Sequence, residues 1–505
     1  MAMSAGTTNG WVLQIMILMT EGCRSRYELE SLSNMFFPGR RVAVREGDQR
    51  TGAEEYIFAS LSQGEPADRF YLEVLYRGER RFLSREEPDA EKRGLVDHIF
   101  GQMLYRLLSE ATGAAPAWGI LTGVRPVKLI SRFRSQGMSD DGIRRYLAEE
   151  CYVSPEKAEL VLRTADRENA IVALSRPESA SLYVSIPFCP SRCRYCSFVS
   201  HGIEKTWKLI PRYVELLQRE LEETAKVVKA LGLRLETVYF GGGTPTALTS
   251  GQLESLIQTV EGCFDLSALR EYTVEAGRPD TITREKLRML RRRGVTRISI
   301  NPQTLNDSVL EKIGRRHTTA QTMEAYAMAR EEGHDNINMD LIAGLPGDDL
   351  ESFCRTIDGV ISLAPDNITL HTLSVKRSSD LRDAGEAFYR EERHRVSSML
   401  SYATGRFQET EYLPYYLYRQ KNTMDNLENV GYCREGKEGC YNVYIMDETH
   451  TILAAGAGAV SKLREPGGSR IERIFNYKFP YEYIDRFETV LERKKGIEAF
   501  YEGKL

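Results

Sequence analysis

Residues 183–196, Tyr183-Val-Ser-Ile-Pro-Phe-Cys189-Pro-Ser-Arg-Cys193-Arg-Tyr-Cys196, decide how the chain is read. The segment opens inside a short apolar strand, Ser181 to Ile186, and passes straight into a loop carrying three cysteines at Cx3Cx2C spacing. A loop at the C-terminal end of a strand is where parallel α/β proteins build their sites. Three thiolates this close can hold three irons of a 4Fe-4S cluster and leave the fourth iron open, whereas a closed zinc site needs a fourth protein donor. The nearest nitrogen donor is His201, so a structural zinc site of Cys189, Cys193, Cys196 and His201 stands beside the cluster reading on this motif alone.

Working outward, short apolar strands alternate with amphipathic helices from Pro177 onward, the pattern of repeated βα units and a parallel sheet. The expected strands are Ser181 to Ile186, Thr237 to Phe240, Glu271 to Glu275, Arg297 to Asn301, Asn336 to Ile342 and Asn367 to Leu373. The helices between them are expected near Trp207 to Leu231, Ser250 to Cys263, Thr283 to Arg293, Thr319 to Glu332 and Leu350 to Leu363. Six units are too few to close an eight-stranded barrel, so the fold class is α/β, a partial (β/α)6 barrel or an open twisted sheet. Gly241-Gly-Gly-Thr-Pro245 follows the second strand, where backbone N–H groups can approach a carboxylate or phosphate, or simply turn the chain into a helix. The lysine of a phosphate-binding loop is absent, which argues against nucleotide hydrolysis. Glu275, Gln303 and Asp340 then recur at successive strand ends, with Arg315 shortly after the fourth. Singly each reads as a loop or cap residue, but four on one rim point to a polar ligand.

The flanks are read more coarsely. Residues 1–115 suggest a small α/β module with strands at Trp11 to Met19, Glu55 to Ser60 and Phe70 to Tyr76 and a helix at Glu91 to Thr112. Residues 116–176 read as a helical connector, 177–375 as the core, and 376–505 as an α+β segment that covers the open side of the sheet. Ser139 and Ser154 are expected N-caps. The 505 residues are 42% hydrophobic and 28% charged, so disorder and coiled coil fit poorly. Sixty-eight Lys+Arg against 72 Asp+Glu leave a net charge of −4, too near balance for a nucleic-acid or anionic-membrane surface over the whole chain. The run Trp11 to Met19 is far shorter than the roughly 20 residues needed to span a bilayer, and with no secretory signal the chain is expected in the cytoplasm.

With these motifs in hand, the chain resembles the radical S-adenosylmethionine (SAM) enzymes, in particular the oxygen-independent coproporphyrinogen III oxidase/dehydrogenase branch. The resemblance rests on Tyr183 to Cys189, the three cysteines, Gly241 to Thr246, Ile313-Gly-Arg-Arg-His317 and Met339-Asp-Leu-Ile-Ala-Gly-Leu-Pro346. Trp118 to Pro126 and Tyr418 to Tyr432 resemble HemZ-type members and extend it to much of the chain. It implies a radical SAM partial (β/α)6 barrel in which Cys189, Cys193 and Cys196 bind the 4Fe-4S cluster. Tyr183, Tyr195, Gly242, Gly243, Thr244, Glu275, Gln303, Arg315 and Asp340 would border one or two SAM molecules. The implied reaction is oxidative decarboxylation of two propionates of coproporphyrinogen III to protoporphyrinogen IX by a SAM-derived radical. The implied partners are this tetrapyrrole and a reduced flavodoxin- or ferredoxin-type electron donor.

Two departures from the family pattern pull in opposite directions. Phe198 stands where the better-known dehydrogenases have a further cysteine, as in the related haem-chaperone branch, yet the haem-binding His-Asn-x-x-Tyr-Trp motif of that branch has no counterpart around Asn422 to Asn429. A non-catalytic haem or porphyrin carrier, and a radical SAM methyltransferase or haem-opening enzyme, are therefore the rival readings. Tyr412, Tyr415, Tyr416 and Tyr418, with Arg419, Lys421, Lys376 and Arg377, offer aromatic surface and positive charge for a carboxylated macrocycle, or else a packed tyrosine-rich strand.

Overall fold

The structure is a computed structural model that describes residues 15–37, 40–196, 200–374, 385–420, 426–468 and 470–503. Its described residues divide into two compact units, one of residues 15–123, 137–159 and 385–393, the other of 124–136, 160–374 and 394–503.

In the first unit the apolar strand β1 (Ile15–Glu21) lies inside a sheet, pairing in parallel with β2 (Arg41–Glu46) and β3 (Tyr56–Ser62), and helix α1 (Arg26–Phe36) makes the crossover. From β3 the chain folds back through β4 (Asp68–Tyr76) and β5 (Glu79–Glu87), both antiparallel, giving the order β2-β1-β3-β4-β5. The core joins Leu29, Leu32 and Phe36 of α1 and Phe100, Leu104 and Leu108 of α2 (Val96–Thr112) with Leu18, Ile57 and Leu72 of the strands. β5 escapes a sequence reading because ERRFLSREE is mostly charged, as suits an edge strand. The expected strand at Trp11 is seen only from Ile15, since Trp11 to Gln14 lie outside the described residues.

Helices α3 (Pro126–Ser135), α4 (Asp140–Glu149) and α5 (Pro155–Val172) follow. Ser139 caps α4 by accepting from Gly142 N, and Ser154 accepts from Lys157 N at 3.3 Å, so both expected caps are made.

The second unit holds the six expected parallel strands: β6 (Ser179–Ile186), β9 (Arg234–Gly242), β10 (Glu271–Glu275), β11 (Arg297–Ser299), β12 (Ile337–Ala343) and β13 (Asn367–Thr372). Between β6 and β9 a two-residue pair, β7 (Phe188–Cys189) and β8 (His201–Gly202), precedes a short helix, α6 (Ile203–Thr206), and the long α7 (Ile210–Ala230). The other crossovers are α8 (Ser250–Cys263), α9 (Arg284–Arg292), the short α10 (Asp307–Lys312) with α11 (Thr319–Glu331), and α12 (Leu350–Leu363). Helices α8, α9, α11 and α12 each start where the sequence supplies a cap, whereas α7 follows Leu209 with no side-chain cap. Thr249 with Gln252 and Thr318 with Gln321 form capping boxes, while Thr283 and Asp349 each accept a first-turn N–H.

The C-terminal segment is α+β, and it extends the same sheet at both edges. After helix α13 (Gly385–Gln408), β14 (Leu413–Arg419) and β15 (Glu428–Cys433) add antiparallel strands beyond β13. Helix α14 (Cys440–Asp447) leads to β16 (Thr451–Ala455), which lies parallel to β6 and is followed by antiparallel β17 (Val460–Arg464) and β18 (Ile471–Phe475). The resulting order, β14-β15-β13-β12-β11-β10-β9-β6-β16-β17-β18, keeps the six parallel strands at the centre of an eleven-stranded sheet. Helices α15 (Pro480–Asp485) and α16 (Phe487–Tyr501) end the chain, and among the described residues no helix is long and apolar enough to cross a membrane.

Candidate functional site

Strand alternation decides which side chains enter the centre of the sheet. Along β12, Met339 and Leu341 are fully buried, while Asp340 and Ile342 point the other way and line a cavity of about 250 Å3 at the strands' C-terminal ends. This cavity collects every residue expected at the site except Tyr183: Cys189, Cys193, Tyr195, Cys196, Gly242, Gly243, Thr244, Glu275, Gln303, Arg315 and Asp340. Tyr183 lies beneath, its hydroxyl 3.4 Å from where a side chain on Gly242 would begin, stacked with Tyr239 and Tyr441.

The cysteine loop is tied down at both ends. Pairing of β7 with β8 sets Phe188 against His201 and Cys189 against Gly202. Across the loop, Arg194 N donates to Ile313 O at 2.9 Å and Ser191 Oγ to Gly314 O at 3.2 Å. Phe198 lies outside the described residues. Burial pushes the Cys189 thiol up, opposed by hydrogen bonds that include one from Thr244 Oγ1 at 3.4 Å. A metal must therefore displace a proton here, which ligand thiols do on binding.

The glycine run does less for a ligand, and more for the protein, than its sequence suggests. Gly243 N and Thr244 N donate to Ile186 O and Phe188 O, both at 2.8 Å, so these N–H groups hold the cysteine strand rather than facing an anion. A Cβ on Gly243 would stand 2.7 Å from Phe188 O and 2.8 Å from Ile186 O. Gly242 has φ +103°, outside the comfortable range of other residues.

The polar rim is electrostatically uneven. Glu275, the last residue of β10, accepts from Tyr239 Oη at 2.6 Å, yet burial, reinforced by the charge of Asp340, pushes its carboxyl up to about 7. Asn338 Nδ2 donates to Asp340 Oδ1 at 2.7 Å. Gln303 carries φ +69°, a strained backbone for a side chain with a Cβ, and its N–H and carbonyl splice the loop onto β12 through Asp340 O and Ile342 N. Buried Arg315 sits beside Cys193 and Tyr195 with Nη1 donating to Asn301 O at 2.5 Å, while its Nε has no partner among the described residues. Two acids and a guanidinium in one cavity lining suit a zwitterion bearing extra positive charge, and SAM combines a carboxylate, an ammonium and a sulfonium.

Further residues line the cavity, of which Gln420 and Asn429 are not evident from sequence. His371 faces the cavity with Nε2 3.9 Å from Asp340 Oδ1, and Tyr418, Gln420 and Asn429 form the wall on the β14–β15 side. Only Tyr418 of the tyrosine-rich strand lines the cavity, because Tyr412, Tyr415 and Tyr416 are buried in packing. Arg419 is spent on Asn426 O at 2.9 and 3.1 Å, so it is not a carboxylate clamp. Lys376, Arg377 and Lys421 lie outside the described residues. Cys433 is buried among Tyr415, Tyr416 and Tyr444.

The zinc alternative finds no support in this geometry. His201 lies against Phe479, ring centroids 5.7 Å apart, and lines a different cavity from the cysteines. Among the described residues no three of His, Cys, Asp or Glu converge as ligands of one ion. Three thiols on a strapped loop beside a ligand-sized cavity do fit a cluster with one open iron.

The radical SAM superfamily model matches residues 183–359. The oxygen-independent coproporphyrinogen-III oxidase-like protein HemZ of Bacillus subtilis (strain 168) is 36% identical over 498 residues, 97% of this chain and 99% of its own. The chain belongs to this radical SAM family. Members of the superfamily use a 4Fe-4S cluster and SAM. A heme chaperone HemW from the same organism is also 36% identical, over 39% of this chain and 51% of its own length. The solved coproporphyrinogen III oxidase HemN of Escherichia coli, 22% identical, shares the fold with TM-score 0.50, covering 65% of this chain and 73% of that one.

Proposed function

We propose that this protein is a coproporphyrinogen dehydrogenase: each of two propionates of coproporphyrinogen III gives up a hydrogen atom to the SAM-derived radical, carbon dioxide, and one electron to a one-electron acceptor, leaving the vinyl groups of protoporphyrinogen IX. One observation carries the reading. A single cavity runs from the three cysteines to a wall of His371, Tyr418 and Asn429 supplied by the last core strand and the C-terminal pair. In this reading Cys189, Cys193 and Cys196 hold the cluster, and Tyr183, Tyr195, Gly242, Gly243, Thr244, Glu275, Gln303, Arg315 and Asp340 surround SAM. When bound, these two groups supply hydrogen abstraction from an unactivated carbon. The chain's residues keep the space narrow, exclude water with Ile342 and Leu373, and fix orientation, on which such chemistry depends.

The similarity to a heme chaperone favours one rival, a carrier that binds a tetrapyrrole without changing it. Anaerobic incubation of reconstituted protein with coproporphyrinogen III, SAM and a reduced flavodoxin or ferredoxin, followed by mass analysis of the tetrapyrrole, separates the two. A divinyl product supports the dehydrogenase, and stoichiometric binding of an unchanged macrocycle rejects it. A methylated or ring-opened product would identify the other rival.

Glu275 gives the site a pH signature. Its carboxyl is raised to about 7 in the ligand-free chain, and a neighbouring cation stabilises the carboxylate and lowers that value. Cation binding thus releases a proton, and SAM affinity should rise with pH, by up to about tenfold per unit below 7, then level off. In the ligand-free protein the same raised value means stability is lost as pH rises through about 7, and SAM should restore it. Glu275→Gln should flatten both profiles, as read by calorimetry and by SAM-dependent thermal shifts. A profile unchanged in the variant would remove Glu275 from the SAM site.

A further inference from the structure

Arg278 lies just beyond the end of β10, is only 3% exposed, and lines the same cavity as the cysteines. An arginine placed there to bind a ligand would leave donors open toward the cavity. The guanidinium has five N–H donors in a fixed fork, and at Arg278 the protein itself supplies a partner for each. Nε donates to Asp280 Oδ1 at 3.0 Å; Nη1 donates to Ser191 O at 3.2 Å and approaches Cys193 Sγ at 3.9 Å; Nη2 donates to Ser191 Oγ at 3.2 Å and Asp280 Oδ2 at 3.0 Å. Arg315, on the same cysteine, keeps a buried Nε without a partner among the described residues.

The contacts form a continuous strap. The turn after β10 is fixed by Thr281 N and Thr281 Oγ1, both donating to Arg278 O, at 2.9 and 2.8 Å. From that turn the guanidinium reaches the cysteine loop at Ser191, and Ser191 Oγ passes the connection on to Gly314 O. The strap thus joins the β10 exit, the cysteine loop and the residue just before Arg315. It also puts a buried positive charge and an N–H beside the sulfur of Cys193. Positive charge and hydrogen bonds to ligand sulfurs stabilise the more negative, reduced form of an iron–sulfur cluster, and partners beyond the ligands commonly tune a metal site in this way.

We propose that Arg278 is a positioning residue with two effects: it clamps the cysteine loop in its ligand-presenting form, and it raises the reduction potential of the cluster held there. Asp280 orients the fork and offsets part of its charge. This inference rests on the reading of the three cysteines as the cluster site, and it assigns Arg278 no contact with substrate.

The test uses the full chain with Arg278→Gln, Arg278→Lys and Asp280→Asn. In metal-free protein, trypsin should cut after Arg192 and Arg194 faster in Arg278→Gln than in wild type, with Arg278→Lys between them. After anaerobic reconstitution to equal iron and sulfide, spectroscopically monitored redox titration should give a lower midpoint potential for Arg278→Gln. Arg278→Lys should lie nearer wild type, and Asp280→Asn above it. If Arg278→Gln does not retain the cluster, Asp280→Asn, which keeps the arginine, still tests the sign. Unchanged loop cleavage would overturn the clamp, and potentials equal to wild type in every variant that loads would overturn the tuning. Failure of the wild type to take up iron and sulfide would instead reject the cluster reading on which the proposal stands.

Discussion

Gly243→Val is expected to lose iron and SAM binding together. From sequence alone, a side chain on the glycine run should crowd only a ligand and leave the cluster intact. The packing reverses that expectation, because a Cβ on Gly243 points at Phe188 O, Ile186 O and Phe188 N, at 2.7, 2.8 and 2.9 Å. All three atoms are backbone of the segment that leads into Cys189, so no flexible side chain can yield. Overpacking of this kind costs about 3 kcal/mol or more, roughly a hundredfold in the population of the closed arrangement. The hydrogen bonds from Gly243 and Thr244 to the same carbonyls would be strained with it. Iron and sulfide analysis after anaerobic reconstitution checks this, and a variant with normal iron but no SAM binding would restore the simpler account.

Cys193→Ser is expected to abolish cluster assembly, from about four irons per chain to almost none, and SAM cleavage with it. Cys193 is the most buried of the three cysteines and lies between the guanidiniums of Arg278 and Arg315. Serine is close to cysteine in size, so the metal-free variant should stay within about 1 kcal/mol of wild type in stability. A hydroxyl gives up its proton to iron far less readily than a thiol, so the ligand set falls to two. Full iron and sulfide content in Cys193→Ser, measured chemically and by low-temperature EPR of the reduced protein, would sink the three-cysteine assignment.

The parts of this molecule legible in its sequence are those governed by local rules. The six core strands declare themselves through apolar runs bounded by caps and turns, and Glu275, Gln303 and Asp340 through their place at strand ends. Contacts between distant segments are not legible. Nothing in Thr451–Ala455 announces parallel pairing with Ser179–Ile186, nor does Tyr239 announce that its hydroxyl holds Glu275. In the tyrosine-rich strand, composition suggested a cationic aromatic surface for a substrate, but composition does not say what covers each face. Tyr415 is fully buried, Arg419 is committed to Asn426 O, and Tyr418 alone reaches the cavity. Arg278 is the clearest case: in sequence it is one arginine in a loop, and only the fold brings it to Ser191 and Cys193.

The central claim is that this cavity performs chemistry on a tetrapyrrole propionate. The most direct measurement supplies coproporphyrinogen III deuterated at the propionate β-carbons to the reconstituted protein with SAM and reductant, without oxygen. Both the tetrapyrrole and the nucleoside product are then weighed by mass spectrometry. The account predicts a divinyl tetrapyrrole that has lost two carbon dioxides, with deuterium recovered in 5′-deoxyadenosine. Deuterium-free nucleoside and a tetrapyrrole recovered with all four propionates would contradict it.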